Sequence, residues 1–154
     1  MLTLRRSGPG TDVSLLSSAN RPVLLATLDV PFADEAIAFA VDSAVETGQP
    51  LVVVNAAEIL PTPWSLVGYG YVERDDLQDE LRKPADLAQS LAVRVERLRV
   101  CSPHPIDALL EIVAERNPGL LVFGPDSSRL KPRRYRLAAK KIRERVACLV
   151  WLTD

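Results

Sequence analysis

One histidine, two cysteines and seven glycines are all that the 154 residues hold of the types on which much site chemistry depends. With His104 as the lone imidazole, a metal centre has almost no nitrogen or sulfur donors to draw on. Cys101 and Cys148 form no CxxC or finger-like spacing, so they are expected as two buried thiols rather than a disulfide or a zinc pair. Glycine is missing altogether from Pro125 to Asp154. Long apolar runs are missing too: LVVVNAA and LLVFG fall far short of the roughly 20 residues that a membrane-spanning helix needs. The opening MLTLRRSGPGTDVSLLSS has no apolar core long enough for a signal peptide. These absences argue against a membrane partner and predict a cytoplasmic location. No internal repeat or low-complexity segment is visible.

The length suits one domain, large enough to bury a core without staples. Residues 1–20 are rich in Ser, Gly and Arg without periodicity and read as a flexible N-terminal arm, leaving 21–154 as the domain. VLLATL (23–28), LVVVNAA (51–57), LLVFG (120–124) and CLVWL (148–152) are short apolar runs of the kind that form strands buried on both faces. Val93 to Val100 alternates imperfectly and fits a further strand near an edge. Helical spacing marks the segments between them. Ala36, Ile37, Ala40, Val41, Ala44 and Val45 form one stripe, closed by Gly48 at the C′ position. Residues 73–92 begin acidic, which suits the helix dipole, and carry Pro84 as a point for a kink or split. Pro105 fits the first helical position before Ile106, Leu109, Leu110 and Val113, and Asn117-Pro118-Gly119 stops that helix. Residues 133–146 form the last helix, with Leu137, Ala138, Ile142 and Val146 facing inward. Glu58 to Tyr71, with Pro61, Pro63, Gly68 and Gly70, reads as a long loop whose aromatics either form a lid or partner surface or pack over a sheet edge.

Strands alternating with helices predict an α/β domain with a parallel sheet and right-handed crossovers. Ligands of such sheets bind at the carboxyl ends of the strands. That draws attention to Asp29, Asn55, the segment after Val100, and the run Gly124-Pro125-Asp126-Ser127-Ser128.

Charge is unevenly distributed. Nine basic residues from Arg129 to Arg145 stand against Asp126 and Glu144, a net of +7 that leaves −8 on the rest of the chain. The segment reads as a solvated or dimer-facing helix face, as a site for a small anion at Arg129–Arg136, or as a nucleic-acid contact. Tyr135 alone interleaves the basic residues, which makes nucleic acid the unlikely partner.

Two stretches carry a resemblance: VLLATLDVPFADEAIAFAVDSAVETGQPLVVVNAA, and PIDALLEIVAERNPGLLVFGPDSS followed by KKIRERVACLVWL. They resemble the opening strand–helix–strand and the closing helix–strand–loop–helix–strand of the universal stress protein family. The resemblance implies one doubly wound domain, a parallel sheet of five strands in the order 3-2-1-4-5, like the adenine nucleotide alpha hydrolase-like fold. ATP-binding members carry G-x-x-G and, after a spacer, G-[ST] behind the fourth strand, where backbone N–H groups approach phosphates with no Cβ in the way. Here Gly124 matches the first glycine, Ser127 stands at the second, and Leu137-Ala138 stand at the final pair. Asp29 matches the family aspartate beside the adenine, and Asn55 stands where histidine is common. The chain therefore resembles the branch without an intact glycine motif.

Asp29, Asn55, Gly124, Ser127 and Ser128 form the candidate degenerate nucleotide cleft. Asp29 either contacts a ligand or caps the following helix or turn, and Gly124 serves either phosphate approach or a turn that needs positive φ. A Ser127–His104–Asp29 triad is discounted, because in the implied order His104 and Ser127 follow strands three spacings apart, roughly 14 Å. The same order puts Cys101 and Cys148 at opposite edges. The expected function is a non-enzymatic stress-response or regulatory protein, dimeric through the fifth strand Cys148–Leu152, with no cofactor and with ATP or AMP binding weak or absent. The alternative is a small-molecule binding module in which Arg and Lys side chains hold a nucleotide or other anion above Asp29.

Overall fold

The computed structural model describes residues 21–61, 69–70 and 75–153. The proposed arm 1–20, together with Trp64 and Tyr71, lies outside the described residues. Five strands form one parallel sheet: β1 (Val23–Thr27), β2 (Leu51–Glu58), β3 (Val95–Ser102), β4 (Leu120–Phe123) and β5 (Leu149–Leu152). Their order is β3-β2-β1-β4-β5, as the resemblance implied. Register is regular throughout, with Val23 beside both Leu51 and Leu120.

Position in the sheet explains composition. All five residues of β1 and the first seven of β2 are buried, so both faces demand apolar side chains. The edge strand β3 alternates partly buried and exposed residues. Helices α1 (Asp34–Thr47) and α2 (Asp75–Ser90) cover one face, packing Ala36, Ala40, Leu77 and Leu81 on Leu25, Val53 and Val122. Helices α3 (Pro105–Arg116) and α4 (Pro132–Arg145) cover the other, packing Leu109, Val113, Ala138 and Ile142 on Leu24, Val54, Leu121 and Phe123.

Helix ends follow the expected chemistry. Gly48 closes α1 at φ 68°, its N–H donating to the Ala44 and Val45 carbonyls. Asn117 adopts φ 47° to close α3, and Pro105 opens it. The third strand starts later than expected because α2 ends in a turn, with Ala92 at φ 63° and the Val93 N–H donating to Ala88.

Several expectations are corrected. Pro84 does not split α2, which runs through it as one helix with Pro84, Ala85 and Ala88 on its buried side. Within the expected long loop, Leu60–Pro61 pairs antiparallel with Tyr69–Gly70. Leu137 points outward, 52% exposed, while Ala139 takes the inward position beside Ala138. Val45 is likewise exposed. The cysteines are not two buried thiols: Cys101 lies exposed on the edge strand, and Cys148 is half-buried before the opposite edge. Both are free, and desolvation holds the Cys148 thiol pKa above its ordinary value.

Candidate functional site

At the carboxyl end of β1 the chain turns sharply into the loop before α1. Thr27, fully buried, donates its hydroxyl to the Val30 carbonyl and so curls the turn back on the strand. Asp29 inside that turn has φ 59°, a conformation that Asp tolerates better than most residues. Asn55, 6% exposed and inside β2 opposite Thr27, holds it from both sides. Its Oδ1 accepts the Asp29 N–H at 2.7 Å, and its Nδ2 donates to Asp29 Oδ1 at 3.2 Å. The structure therefore brings together the first two candidate residues. Asp29 does not cap α1, whose N-cap is Ala33 without a side-chain bond. Asn55→Ala removes both bonds at once and is expected to cost about 2 kcal/mol in urea unfolding. A loss below about 0.5 kcal/mol would show that the pair does not hold the turn.

The loop after β4 is laced to the loop after β1. Gly124 donates its N–H to Ala26, continuing the ladder, and accepts the Ala33 N–H at 2.9 Å. Asp126 donates its N–H to Pro31 at 2.8 Å, and Phe32 and Pro125 form an antiparallel bridge. Gly124 is not a positive-φ glycine: Gly48 alone has that conformation among the described glycines. Its need is spatial, because a Cβ placed there would fall far inside the van der Waals envelope of the Ala36 Cβ. The turn explanation is therefore replaced by close approach of α1 to the end of β4.

Beyond it, Ser127 and Ser128 are exposed. The Ser128 N–H and hydroxyl both donate to Asp126 Oδ1, at 3.0 and 2.8 Å, and the Arg129 N–H donates to the Asp126 carbonyl. The loop thus turns around its own carboxylate. A backbone N–H that a phosphate oxygen would seek is already met by an anion, and a second anion nearby would be repelled. The sequence singled out Asp126 as part of the run after the fourth strand and as a charge, but not as the centre of the loop; the serine two residues on was the signal for this Asx-type turn. Of the positions matching the final G-[ST], Leu137 faces solvent and Ala138 is buried in the core.

The basic segment is partly satisfied within the chain. Lys141 and Arg145 both reach Asp107, at 3.3 and 3.5 Å, and Arg134 lies 3.8 Å from Glu58. These pairs are exposed enough that each contributes well under about 1 kcal/mol. His104 stands before α3 with its N–H on Ser102 Oγ, and three strand spacings separate β3 from β4, so the discounted triad is not assembled. Among the described residues no cluster of three or more acidic, His or Cys side chains could hold a metal, and no helix is long and apolar enough to cross a membrane.

The model of the universal stress protein family matches residues 19–151. The chain belongs to that family. Solved structures agree in fold. A universal stress protein in complex with cAMP superposes with a TM-score of 0.60 at 21% identity, over 88% of this chain and 98% of that one. One from Archaeoglobus fulgidus in complex with dAMP gives 0.58 at 18%, over 88% and 99%. An Arabidopsis thaliana family protein with AMP bound gives 0.53 at 12%, over 85% and 89%. No curated protein matches the chain significantly. As a universal stress protein, then, this chain has the family sheet order and the Asp29–Asn55 pair at its switch point, and a β4 loop that contains its own anion.

Proposed function

We propose that this universal stress protein is a non-enzymatic, cytoplasmic regulatory homodimer that makes little or no use of ATP. The observation that carries the reading is the Asp126 carboxylate on the Ser128 N–H and hydroxyl. With Ser127 and Leu137 in place of glycines, the loop offers phosphates side chains and a negative charge where ATP-binding relatives offer open backbone. Among the described residues, His104 and Ser127 follow β3 and β4, three strand spacings apart, too far to act as base and nucleophile, which supports a role without catalysis. Dimerisation is favoured by β5, an edge strand whose Leu149 is 75% exposed and whose outer ladder groups have no strand beside them among the described residues.

A ligand that binds only the folded state stabilises it by RT ln(1 + [L]/Kd), so about 1 mM ATP should raise the melting temperature by less than about 2 °C. A larger shift would overturn the loss of ATP binding. It would favour a second reading, a small-molecule module holding a nucleotide with Arg129, Lys131, Arg133 or Arg136, for which the cAMP, dAMP and AMP complexes of the structural neighbours are the support.

A further inference from the structure

The two faces of β5 are covered unequally. On the α3/α4 side Cys148, Val150 and Leu152 pack against the core cluster of that face. On the α1 side Phe39 stacks on Trp151, with ring centroids 5.2 Å apart. Alternation puts Leu149 on the same side as Trp151, and there it is 75% exposed, while Phe39 is itself 39% exposed. Both line an open groove of about 560 Å³ that Leu120 helps to floor. Exposed apolar side chains that adjoin one another mark an interaction surface. The same strand offers an open ladder. Thr153 donates its N–H inward to Phe123, so by alternation the N–H and C=O groups of Cys148, Val150 and Leu152 point outward, where no strand lies among the described residues.

We infer that the groove is covered by a second copy of this chain, whose β5 adds antiparallel about a two-fold axis at Val150 and sets Leu149 of each copy on Trp151 and Phe39 of the other. The inference rests on the homodimer proposed above and supplies its register and its apolar centre. The run CLVWL carries the argument, because it complements itself when reversed about Val150. That register opposes Cys148 to Leu152, Leu149 to Trp151 and Val150 to its own mate. Each of the three outward N–H groups then meets an outward carbonyl of the other copy. Such an axis is normal to the sheet, so the α1 sides of both copies stay on one face. Leu149 and Trp151 become the close, non-hydrogen-bonded pair on the face that is short of cover, and aromatic–aliphatic pairs of this kind are favourable. A two-fold at Trp151 would pair fewer outward groups within CLVWL and leave Leu149 beside Thr153. A ribbon of five residues falls well short of the roughly 1,200 Å² that a stable interface buries, so the apolar groove beside it has to contribute area.

The test is a cross-linking experiment on the full chain in which C101A/C148A removes both native thiols. Chains carrying L149C and chains carrying W151C are mixed, left to exchange subunits and oxidised. The mixture should give a disulfide-linked dimer, because directly opposed residues bring their Cα atoms to about 4.5 Å, within the span of a disulfide. Either chain alone should give almost none, since like positions of the two copies lie on a diagonal, at or beyond the limit of about 7 Å. L149S decides the matter without touching Trp151. It should raise the dimer dissociation constant by about 100-fold, roughly tenfold for each of the two leucines uncovered. Its circular dichroism should match the parent, the side chain being exposed in the single chain. L137S, which removes an exposed leucine of α4, should dimerise as the parent does. The inference is overturned if W151C chains cross-link alone, if the folded mixture does not cross-link, or if L149S dimerises as tightly as the parent. Those outcomes, with V150P still dissociating the dimer, leave β5 as the interface and remove only the register and the groove. A parent chain that is monomeric overturns the homodimer and this inference together.

Discussion

Gly124→Ala is expected to destabilise the folded chain by about 3 kcal/mol, the upper range for forcing an extra methyl into a packed position. The new Cβ would collide with that of Ala36 on α1, where both partners are held by backbone. The Ala33 N–H is bonded to the Gly124 carbonyl and the Gly124 N–H to Ala26, so neither element can retreat without breaking a ladder or a cap. Urea unfolding of the variant measures the loss. The companion variant Ala36→Gly supplies the decisive comparison, because it removes the atom struck. Alone it should cost about 1 kcal/mol for glycine in a helix. Combined with Gly124→Ala it should recover a large part of the deficit, a coupling that a double-mutant cycle reads directly. If the two losses simply add, the collision is not the reason for the glycine. If Gly124→Ala is neutral, α1 does not pack as closely as described.

Val150→Pro should dissociate the proposed dimer while leaving the subunit folded. The Thr153 N–H donates inward to Phe123, and successive residues of a strand alternate in the side to which their N–H points. The Val150 N–H therefore faces the open edge of β5. Proline at such a position removes no bond within the sheet, which is where proline is tolerated in strands. It would remove a donor from any strand added alongside and set its ring against that strand's carbonyls. A loss of about 3 kcal/mol corresponds to a dimer dissociation constant raised by about 100-fold or more. Light scattering after size exclusion reads the mass, and far-UV circular dichroism checks the fold. An unchanged dimer would remove β5 from the interface, and a parent chain that is monomeric at micromolar concentration would end the dimer proposal.

What could be seen in the sequence depended on how many neighbours fixed each residue. VLLAT, LVVV and LLVF declare themselves because a strand with helices on both faces admits almost nothing polar. Gly48 declares itself because a helix end needs a left-handed residue. Leu137 misled because α4 buries alanines, Ala138 and Ala139, and an alanine stripe is a faint signal beside a leucine. Cys101 misled for a related reason, since an edge strand leaves half its length open. The requirement at Gly124 could not be read at all, because it depends on how α1 comes down on β4. Asp29 and Asn55 were each picked out by position at a strand end, but their pairing rests on the register between β1 and β2.

A loop that keeps its own counter-charge has a physiological side. Proteins that are ordered by a nucleotide gain stability when that nucleotide is plentiful and lose it when it is exhausted, so their lifetime follows the energy state of the cell. In this chain Asp126 gives the β4 turn its anion permanently, as part of the polypeptide. On the proposal that the chain makes little or no use of ATP, the turn is equally well formed in a starved cell and a growing one. A protein of that kind persists through energy depletion unchanged, and its signal comes through its synthesis or through what it touches.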